Sequence, residues 1–343
     1  MSLLEEIAEQ PRVAEHLVET GRAAIASLAA AARARDIDFV LIAARGSSDH
    51  AAVYAQYALG VLAQMPVGLA APSVISRYGG HPRLGRGLVI GISQSGRSPD
   101  VVGVLSEARK QGALTAAITN DPASVLAGAV EHHLDLGAGA ERSVAATKTY
   151  SAELLAVAML AAELAPDDGP AGAIAAVPEA LRRALGFASD AERLASTRTA
   201  MDHCVVLGRG FNLSSALEWA LKLKELAYVR AQAYSSADFE HGPVASLPPG
   251  GDLLAVHAPG PMAADLESLL GRLRAERGVR TLVLAPAGTP IEGDHLPYPG
   301  GLPEWLTPIA AIVPAQLFCY HMTRARGLDP EAPRGLHKVT LTR

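Results

Sequence analysis

The 343-residue sequence has few aromatic residues (4%) and only two cysteines, Cys204 and Cys319. Neither cysteine belongs to a CxxC pair and each lies in an apolar stretch, so we expect two buried thiols in a reducing compartment. The formal net charge of -5 is mild. It predicts neither a nucleic-acid partner nor an anionic-membrane partner.

Long apolar runs are also missing. No run reaches the roughly 18 residues of a membrane helix without a charge or a turn residue. The N-terminus begins with an acidic amphipathic segment instead of a basic and then apolar signal sequence. We therefore expect a soluble, cytoplasmic protein with no membrane partner.

Small aliphatic residues dominate what is present. Hydrophobic residues make up 49% of the chain, with Ala, Leu and Val the most frequent among them. Such a composition favours many helices packed on buried strands over an all-β sandwich.

The chain contains an internal repeat. The segment from Asp38, DFVLIAARGSSDHAAVYAQYAL, resembles the segment from Asp202, DHCVVLGRGFNLSSALEWALKL. At the same separation, the segment from Gly87 resembles that from Gly251. Each reads as a short strand, a turn and a helix, so the repeat predicts a duplication.

Alternating strands and helices predict an α/β fold with mainly parallel sheets. We expect two tandem domains, each a three-layer α-β-α sandwich. The predicted boundaries are an N-terminal helical lead-in (1–28), a first domain (29–165), a helical linker (166–192), a second domain (193–330) and a C-terminal tail (331–343).

The two copies differ in one turn. The first carries Ser93-Gln-Ser-Gly96, where the second carries His257-Ala-Pro-Gly260. Hydroxyls and free N–H groups at the start of a helix suit a phosphate, whereas proline removes a donor. The sequence therefore predicts one phosphate site per chain, in the first domain.

Three turns rich in Ser and Thr follow strands of the first domain: Gly46-Ser47-Ser48, Ser93 to Ser98, and Ser143 to Lys148. Each serine alone could be a helix N-cap, which is the commoner role. Together they indicate an anion cradle made of hydroxyls, and the sequence has no GxxxxGK[ST] or GxGxxG motif.

These motifs carry a resemblance. The RGSS turn, the strand-GISQSG-x-S-x-D pattern and the following TK loop are similar to those of the sugar isomerase (SIS) domain family. The tandem arrangement resembles the isomerase half of glucosamine-6-phosphate synthases and the stand-alone glucosamine-6-phosphate deaminases. The stretch ALEWALKLKELAYVRAQAYSSADFEHGPVA and the tail EAPRGLHKVTLT match further motifs of the same family.

The resemblance implies a set of site residues. Those that would bind the phosphate, or hydroxyls beside it, are Ser47, Ser48, Ser93, Gln94, Ser95, Ser98, Val144 and Thr147. Those that would act in catalysis are Glu225, Lys222 one turn before it, His241 and Lys338. Glu225 would be the base, His241 would open the ring from a neighbouring subunit, and Lys338 would contact the open-chain carbonyl.

The chemistry of aldose–ketose conversion suits these residue types. One carboxylate placed over C1 and C2 can move a proton between them, and a histidine can move a proton during ring opening. Plainer interpretations stay open: Glu225 could pair with Lys222 or Lys224 on a helix surface, His241 could cap a helix, and Lys338 could be solvated.

The expected partner is a small-molecule sugar phosphate, with no metal and no organic cofactor. Because the resemblance implies that His241 reaches a neighbouring subunit, we also expect a homodimer with shared active sites.

The expected reaction converts glucosamine 6-phosphate to fructose 6-phosphate and ammonia. The synthases begin with a glutaminase domain that the sequence does not display, so we expect deamination. One alternative is a deglycase or galactosamine-type deaminase, and another is a dehydratase that eliminates the C3 hydroxyl of N-acetylglucosamine 6-phosphate. Departures from the synthase pattern at Trp219, Ala146 and Asp238 keep the dehydratase open. A third alternative is a sugar-phosphate sensor without turnover.

Overall fold

A computed structural model describes residues 2–167 and 169–338 of the chain. Within them the chain forms two compact units. The first unit comprises residues 12–141, 148–167, 169–175 and 337–338, and the second comprises residues 2–11, 142–147 and 176–336. The domain boundaries expected from the sequence stay a prediction.

The first unit contains one five-stranded parallel sheet. Its strands are β1 (Phe39–Ala43), β2 (Val67–Leu69), β3 (Gly87–Ile92), β4 (Leu114–Thr119) and β5 (His132–Asp135). They lie in the order β2-β1-β3-β4-β5. The central strands β3 and β4 are buried along their whole length, as expected for a parallel sheet covered on both faces.

The second unit repeats this topology. Its strands are β6 (His203–Gly208), β7 (Arg230–Ser235), β8 (Asp252–Val256), β9 (Arg280–Pro286) and β10 (Asp294–Tyr298). They are parallel and lie in the order β10-β9-β8-β6-β7. Counted from the first strand of each sheet, the two orders are the same. This agreement supports the duplication predicted from the sequence.

Helices cover both faces of each sheet, which confirms the expected α/β sandwich. In chain order they are α1 (Leu3–Ala8), α2 (Gln10–Thr20), α3 (Arg22–Ala34), α4 (Ser47–Leu62), α5 (Ser73–Ser76), α6 (Pro99–Lys110), α7 (Val125–Ala129), α8 (Lys148–Leu164), α9 (Val177–Leu185), α10 (Ala188–Ser196), α11 (Leu213–Leu226), α12 (Ser236–Glu240), α13 (Ala263–Arg277) and α14 (Thr307–Ala325). In the first unit α3, α4 and α8 pack together, and α5, α6 and α7 form the other group.

In the second unit α9, α10, α11 and α14 pack together, while α12 and α13 lie against the other face of the sheet. The core beneath α13 includes Leu266, Leu270 and Val283, all almost fully buried. Both cysteines are buried and free, as predicted. Burial and the nearby Asp252 carboxylate raise the pKa of the Cys204 thiol to about 12.

Candidate functional site

The strand order of the first unit creates a switch point. From β1 the chain continues to β2 on one side, and from β3 it continues to β4 on the other. In open parallel sheets of this kind, ligands bind at the carboxyl ends of the strands where the connections diverge. The turns after β1 and β3, which carry the predicted serines, lie at this point.

The turn after β1 directs two serines into the start of α4. Gly46 precedes the helix with φ of +60°, a conformation that glycine adopts at little cost. Ser47 is the first residue of α4, and Ser48 is buried. The Ser48 hydroxyl donates to Glu153 Oε1 of α8 at 2.8 Å. A buried carboxylate therefore fixes the Ser48 hydroxyl, which still has lone pairs to accept a bond.

An ion pair joins the same turn to helix α6. Arg45 donates to Asp100 Oδ2 through Nε at 2.8 Å and through a terminal nitrogen at 2.6 Å. Asp100 lies in the first turn of α6 with its side chain 2% exposed. Its other oxygen accepts from the Val101 N–H. The carboxylate thus complements the positive end of the helix and holds the β1 turn beside the β3 turn.

The turn after β3 is tight. The Ser93 hydroxyl accepts from the Gly96 N–H at 3.2 Å. Gly96 has φ of +59°, and a Cβ there would lie 2.2 Å from Ser124 Oγ. Only glycine can satisfy both conditions, so Gly96 sets the path of this loop.

Ser98 occupies the N-cap position of α6, and Pro99 follows it. The side chain of Ser98 makes no capping hydrogen bond to the helix. Its hydroxyl therefore does not fill the common role of a serine before a helix, and it can serve a ligand at the helix N-terminus.

An open pocket of about 190 Å³ adjoins these turns. Among its lining residues are Gln94 and Ser95 of the β3 turn and Lys338 from the C-terminal part of the chain. The structure thus brings together three of the predicted site residues. Asn120 and Asp121, which follow β4, complete its polar wall.

Lys338 is held in this pocket by Glu141. Its ammonium donates to Glu141 Oε2 at 2.8 Å, while the Glu141 side chain is fully buried. Glu141 also accepts from the backbone N–H and the hydroxyl of Thr149, in the first turn of α8. The sequence reasoning missed Glu141, although an acidic residue two positions before the Ser143-to-Lys148 turn was a visible signal.

The segment 142–147 belongs to the second unit. There Thr147 is buried, and its carbonyl accepts from the Gln316 side chain at 3.4 Å. Val144 is half-buried. The Glu6 carboxylate accepts from the Ser143 backbone N–H and orders the same turn.

Three charged side chains form a row on α11. The Lys222 ammonium lies 2.6 Å from Glu225 Oε2 and 3.3 Å from Glu218 Oε1. Lys222 and Glu218 are almost completely buried, whereas the Glu225 side chain is 22% exposed. The pair of Lys222 and Glu225 predicted as an alternative does exist, but it is not a surface pair.

The lysine in this row stays charged. Burial alone would lower the pKa of Lys222, but the charges and hydrogen bonds of Glu218 and Glu225 outweigh burial and raise it above its ordinary value. A protonated Lys222 orients the Glu225 carboxylate, whose exposed part can reach a ligand.

His241 directly follows α12 at its C-cap position and is exposed; its backbone N–H donates to the Asp238 carbonyl at 3.1 Å. Trp219, by contrast, is fully buried on α11 and contacts the Phe318 ring edge-on, with centroids 5.8 Å apart. This contact favours a packing role for Trp219, so it gives no support to the dehydratase alternative.

No group of three or more His, Cys, Asp or Glu side chains in residues 2–167 and 169–338 could hold a metal ion. Within the same residues, no helix combines the length and apolar character needed to span a membrane.

Comparison with known proteins identifies the family. The pattern of the SIS domain matches residues 35–163. A crystal structure from Silicibacter pomeroyi DSS-3, assigned as a phosphosugar isomerase, is 36% identical with a TM-score of 0.86, and the match covers 96% of this chain and 99% of that one. The C-terminal domain of glucosamine-fructose-6-phosphate aminotransferase from Francisella tularensis is 25% identical with a TM-score of 0.86, over 96% and 97% of the two chains.

Curated relatives are longer. Glutamine–fructose-6-phosphate aminotransferase (isomerizing) of Gloeobacter violaceus is 35% identical over 88% of this chain but only 52% of its own length. The chain thus spans about half the length of the curated relatives it matches. The fold is shared with glucosamine-6-phosphate deaminase of Thermotoga maritima, at 23% identity and a TM-score of 0.76 over 99% of both chains. The chain belongs to the sugar isomerase (SIS) domain family.

Proposed function

We propose that the protein is an amino-sugar phosphate deaminase that converts glucosamine 6-phosphate to fructose 6-phosphate and ammonia. The observation that carries the proposal is the pocket of the first unit, where Gln94 and Ser95 stand beside the Lys338 ammonium. Hydroxyl and amide donors suit a phosphate and sugar hydroxyls, and a cation suits a polarised carbonyl oxygen.

In the proposed reaction the serine side chains of the β3 turn hold the phosphate. Ser98, without a capping bond, and Ser95 supply hydroxyl donors, and the N-terminus of α6 supplies a favourable dipole. Ser47, Ser48 and the turn residues Val144 and Thr147 are proposed contacts of the same sugar phosphate.

Lys338 is proposed to polarise the open-chain carbonyl at C1. An ammonium has three N–H donors, so the bond to Glu141 does not exhaust it. Because Lys338 already acts as a hydrogen-bond donor toward Glu141, we assign it donation to the carbonyl oxygen and not attack as a free amine.

Glu225 is the proposed base. It removes the proton from C2 of the open-chain amino sugar while O1 takes a proton from the solvent, which gives an enolamine. It then returns the C2 proton to C1 while the nitrogen gives up a proton to the solvent. The product is the C2 imine of fructose 6-phosphate. Water adds to the imine carbon, and the C–N bond breaks to release ammonia. The bond from Lys222 supports this role because it fixes the carboxylate in one orientation.

His241 is proposed to move the proton between O1 and the ring oxygen when the sugar ring opens. Its exposed position on a turn agrees with action on a neighbouring subunit. The homodimer and the cytoplasmic location remain predictions of the same proposal.

Deamination requires only water besides the sugar, whereas the reverse amination requires a source of ammonia. The test incubates the purified protein with glucosamine 6-phosphate and, separately, with N-acetylglucosamine 6-phosphate, and measures ammonia, fructose 6-phosphate and ultraviolet absorbance. We expect ammonia and fructose 6-phosphate in equal amounts from the free amine alone. An absorbing product from the acetylated sugar would identify a dehydratase, and binding without any product would identify a sensor; either result would overturn the proposal.

A further inference from the structure

The segment 138–141 leads into the pocket of the first unit and forms neither helix nor strand. Side chains hold its backbone instead. Asn120 Oδ1 accepts from the Ala138 N–H at 2.8 Å, and Asn120 Nδ2 donates to the Gly139 carbonyl at 2.7 Å. Because Asn120 also lines the pocket, its amide side chain ties one wall of the pocket to the approaching chain.

A buried lysine fixes the next peptide group of this segment. Lys148 is the first residue of α8 and is 1% exposed. Its ammonium donates to the Ala140 carbonyl at 2.8 Å. A hydrogen bond to a charged donor is stronger than one between neutral groups. Lys148 therefore holds the peptide group that directly precedes Glu141.

Thr149 holds the Glu141 side chain itself. Thr149 is the second residue of α8 and is fully buried. Its backbone N–H donates to Glu141 Oε1 at 3.1 Å, and its hydroxyl donates to Glu141 Oε2 at 2.7 Å. The carboxylate also lies at the positive end of the helix, where a negative charge is favourable. Because each oxygen accepts its own bond from Thr149, the carboxylate cannot rotate without breaking one of them.

The Thr149 hydroxyl and the Lys338 ammonium share one acceptor atom. Glu141 Oε2 lies 2.7 Å from the hydroxyl oxygen and 2.8 Å from Lys338 Nζ. The Glu141 side chain is fully buried, whereas the Lys338 side chain is 24% exposed and lines the pocket. The contacts thus run from α8 through a buried carboxylate to an ammonium that a ligand can reach.

We infer that Thr149 is a positioning residue, which fixes Glu141 and thereby sets where the Lys338 ammonium meets the oxygen at C1 of an open-chain sugar phosphate. The inference rests on the proposed function for the contact between Lys338 and C1, but it does not need the release of ammonia. In Thr149→Val the backbone bond to Oε1 remains and the bond to Oε2 is lost. The carboxylate is then free to turn, and the ammonium moves with it.

The test compares two open-chain ligands that carry the same phosphate and differ at C1. Gluconate 6-phosphate has a carboxylate there, and glucitol 6-phosphate has a hydroxyl. In calorimetric titrations of the full chain we expect gluconate 6-phosphate to bind about tenfold more tightly, through a charge-assisted bond to Lys338. Thr149→Val should reduce this ratio to about twofold, whereas Thr149→Ser, which keeps the hydroxyl, should retain it.

Thr115→Val is the matched control. It removes another fully buried hydroxyl of the first unit, since Thr115 Oγ1 on β4 accepts from the Glu131 N–H at 3.1 Å. Both valine variants should lower the melting temperature, but the ratio of the two affinities should fall in Thr149→Val alone. An unchanged ratio in Thr149→Val, or an equal fall in Thr149→Ser or in Thr115→Val, would overturn the inference.

Steady-state kinetics with glucosamine 6-phosphate separates the inference from the proposed reaction. Thr149→Val should lower kcat about fivefold with KM nearly unchanged, because the ammonium is less well placed at C1. If the unmodified protein releases no ammonia but the affinity ratios behave as expected, the proposed reaction is wrong and the inference stands. If the unmodified protein binds the two open-chain ligands equally, Lys338 does not meet C1 and the inference is wrong.

Discussion

The two units share their scaffold but differ in the groups that can meet a ligand. Both have the same strand order, and both have an Arg-Gly turn after the first strand, with Gly46 and Gly210 at φ of +60°. In both, the arginine of that turn pairs with an aspartate in the first turn of the helix after the third strand: Arg45 with Asp100, and Arg209 with Asp265.

The two copies differ in the residues of the turn after the third strand. In the first unit it is Ser-Gln-Ser-Gly beside an uncapped α6, and in the second it is His-Ala-Pro-Gly beside a histidine–carboxylate pair. Both copies thus share the turn geometry and its supporting ion pair, whereas the serine donors that suit a phosphate follow the third strand in the first unit.

The largest effect is expected at Glu225, the proposed base. Glu225→Gln should lower kcat for glucosamine 6-phosphate by about 10²–10⁴-fold, since an amide cannot accept the C2 proton. Steady-state kinetics measures this, with Glu276→Gln as the control for a changed charge on the second unit. Wild-type kcat in the Glu225 variant would refute the assignment of the base.

A change in the turn after β3, which is proposed to bind the phosphate, should affect substrate binding more than turnover. Ser95→Ala is expected to raise KM about tenfold with kcat nearly unchanged, because it removes one hydrogen bond to a charged group. The corresponding change in the other copy, Pro259→Ser, should leave both constants unaltered. Equal effects of the two variants would mean that the copies do not differ as described.

Glu141 is expected to act through Lys338. Glu141→Gln keeps the shape of the side chain but replaces a part-buried ion pair with a contact of one charge. We expect kcat to fall about tenfold while KM changes little, because the ammonium is no longer fixed beside C1. A fall in thermal stability with unchanged kcat in the folded fraction would assign Glu141 a purely structural role.

The smallest effects are expected at the two shared ion pairs. Asp100 is almost completely buried, whereas the Asp265 side chain is 65% exposed. Asp100→Asn should therefore lower the free energy of unfolding by about 1–3 kcal/mol, and Asp265→Asn by less than about 1 kcal/mol. Urea unfolding of both variants compares them directly, and equal losses would contradict the burial argument.

The central strands could be predicted from the sequence because their residues form short apolar runs. The runs at Leu114–Thr119 and Thr281–Ala285 correspond to β4 and β9. The edge strands could not be predicted in this way. β5 reads HHLD and β7 reads RAQAYS, and such polar segments become strands only because a neighbouring strand offers a pairing edge.

Parts of the candidate site depended on contacts that local patterns do not contain. Lys338 and Glu141 form an ion pair although they are 197 residues apart in the sequence. Ser48 of α4 forms a hydrogen bond with Glu153 of α8, 105 residues away. Glu225 and Lys222, one turn apart on the same helix, could be paired from spacing alone. The burial of Lys222 and of Trp219 could not be predicted from spacing, because it depends on how α11 packs against α14.

We propose that one of the two duplicated units kept the sugar-phosphate site. Calorimetric titration of Glu225→Gln with glucosamine 6-phosphate tests it most directly, because the ligand is not consumed. We predict one mole bound per mole of chain, with binding weakened by adding Ser95→Ala and unaffected by adding Pro259→Ser. Two moles per chain, or a loss of binding caused by the change at Pro259 alone, would contradict the account.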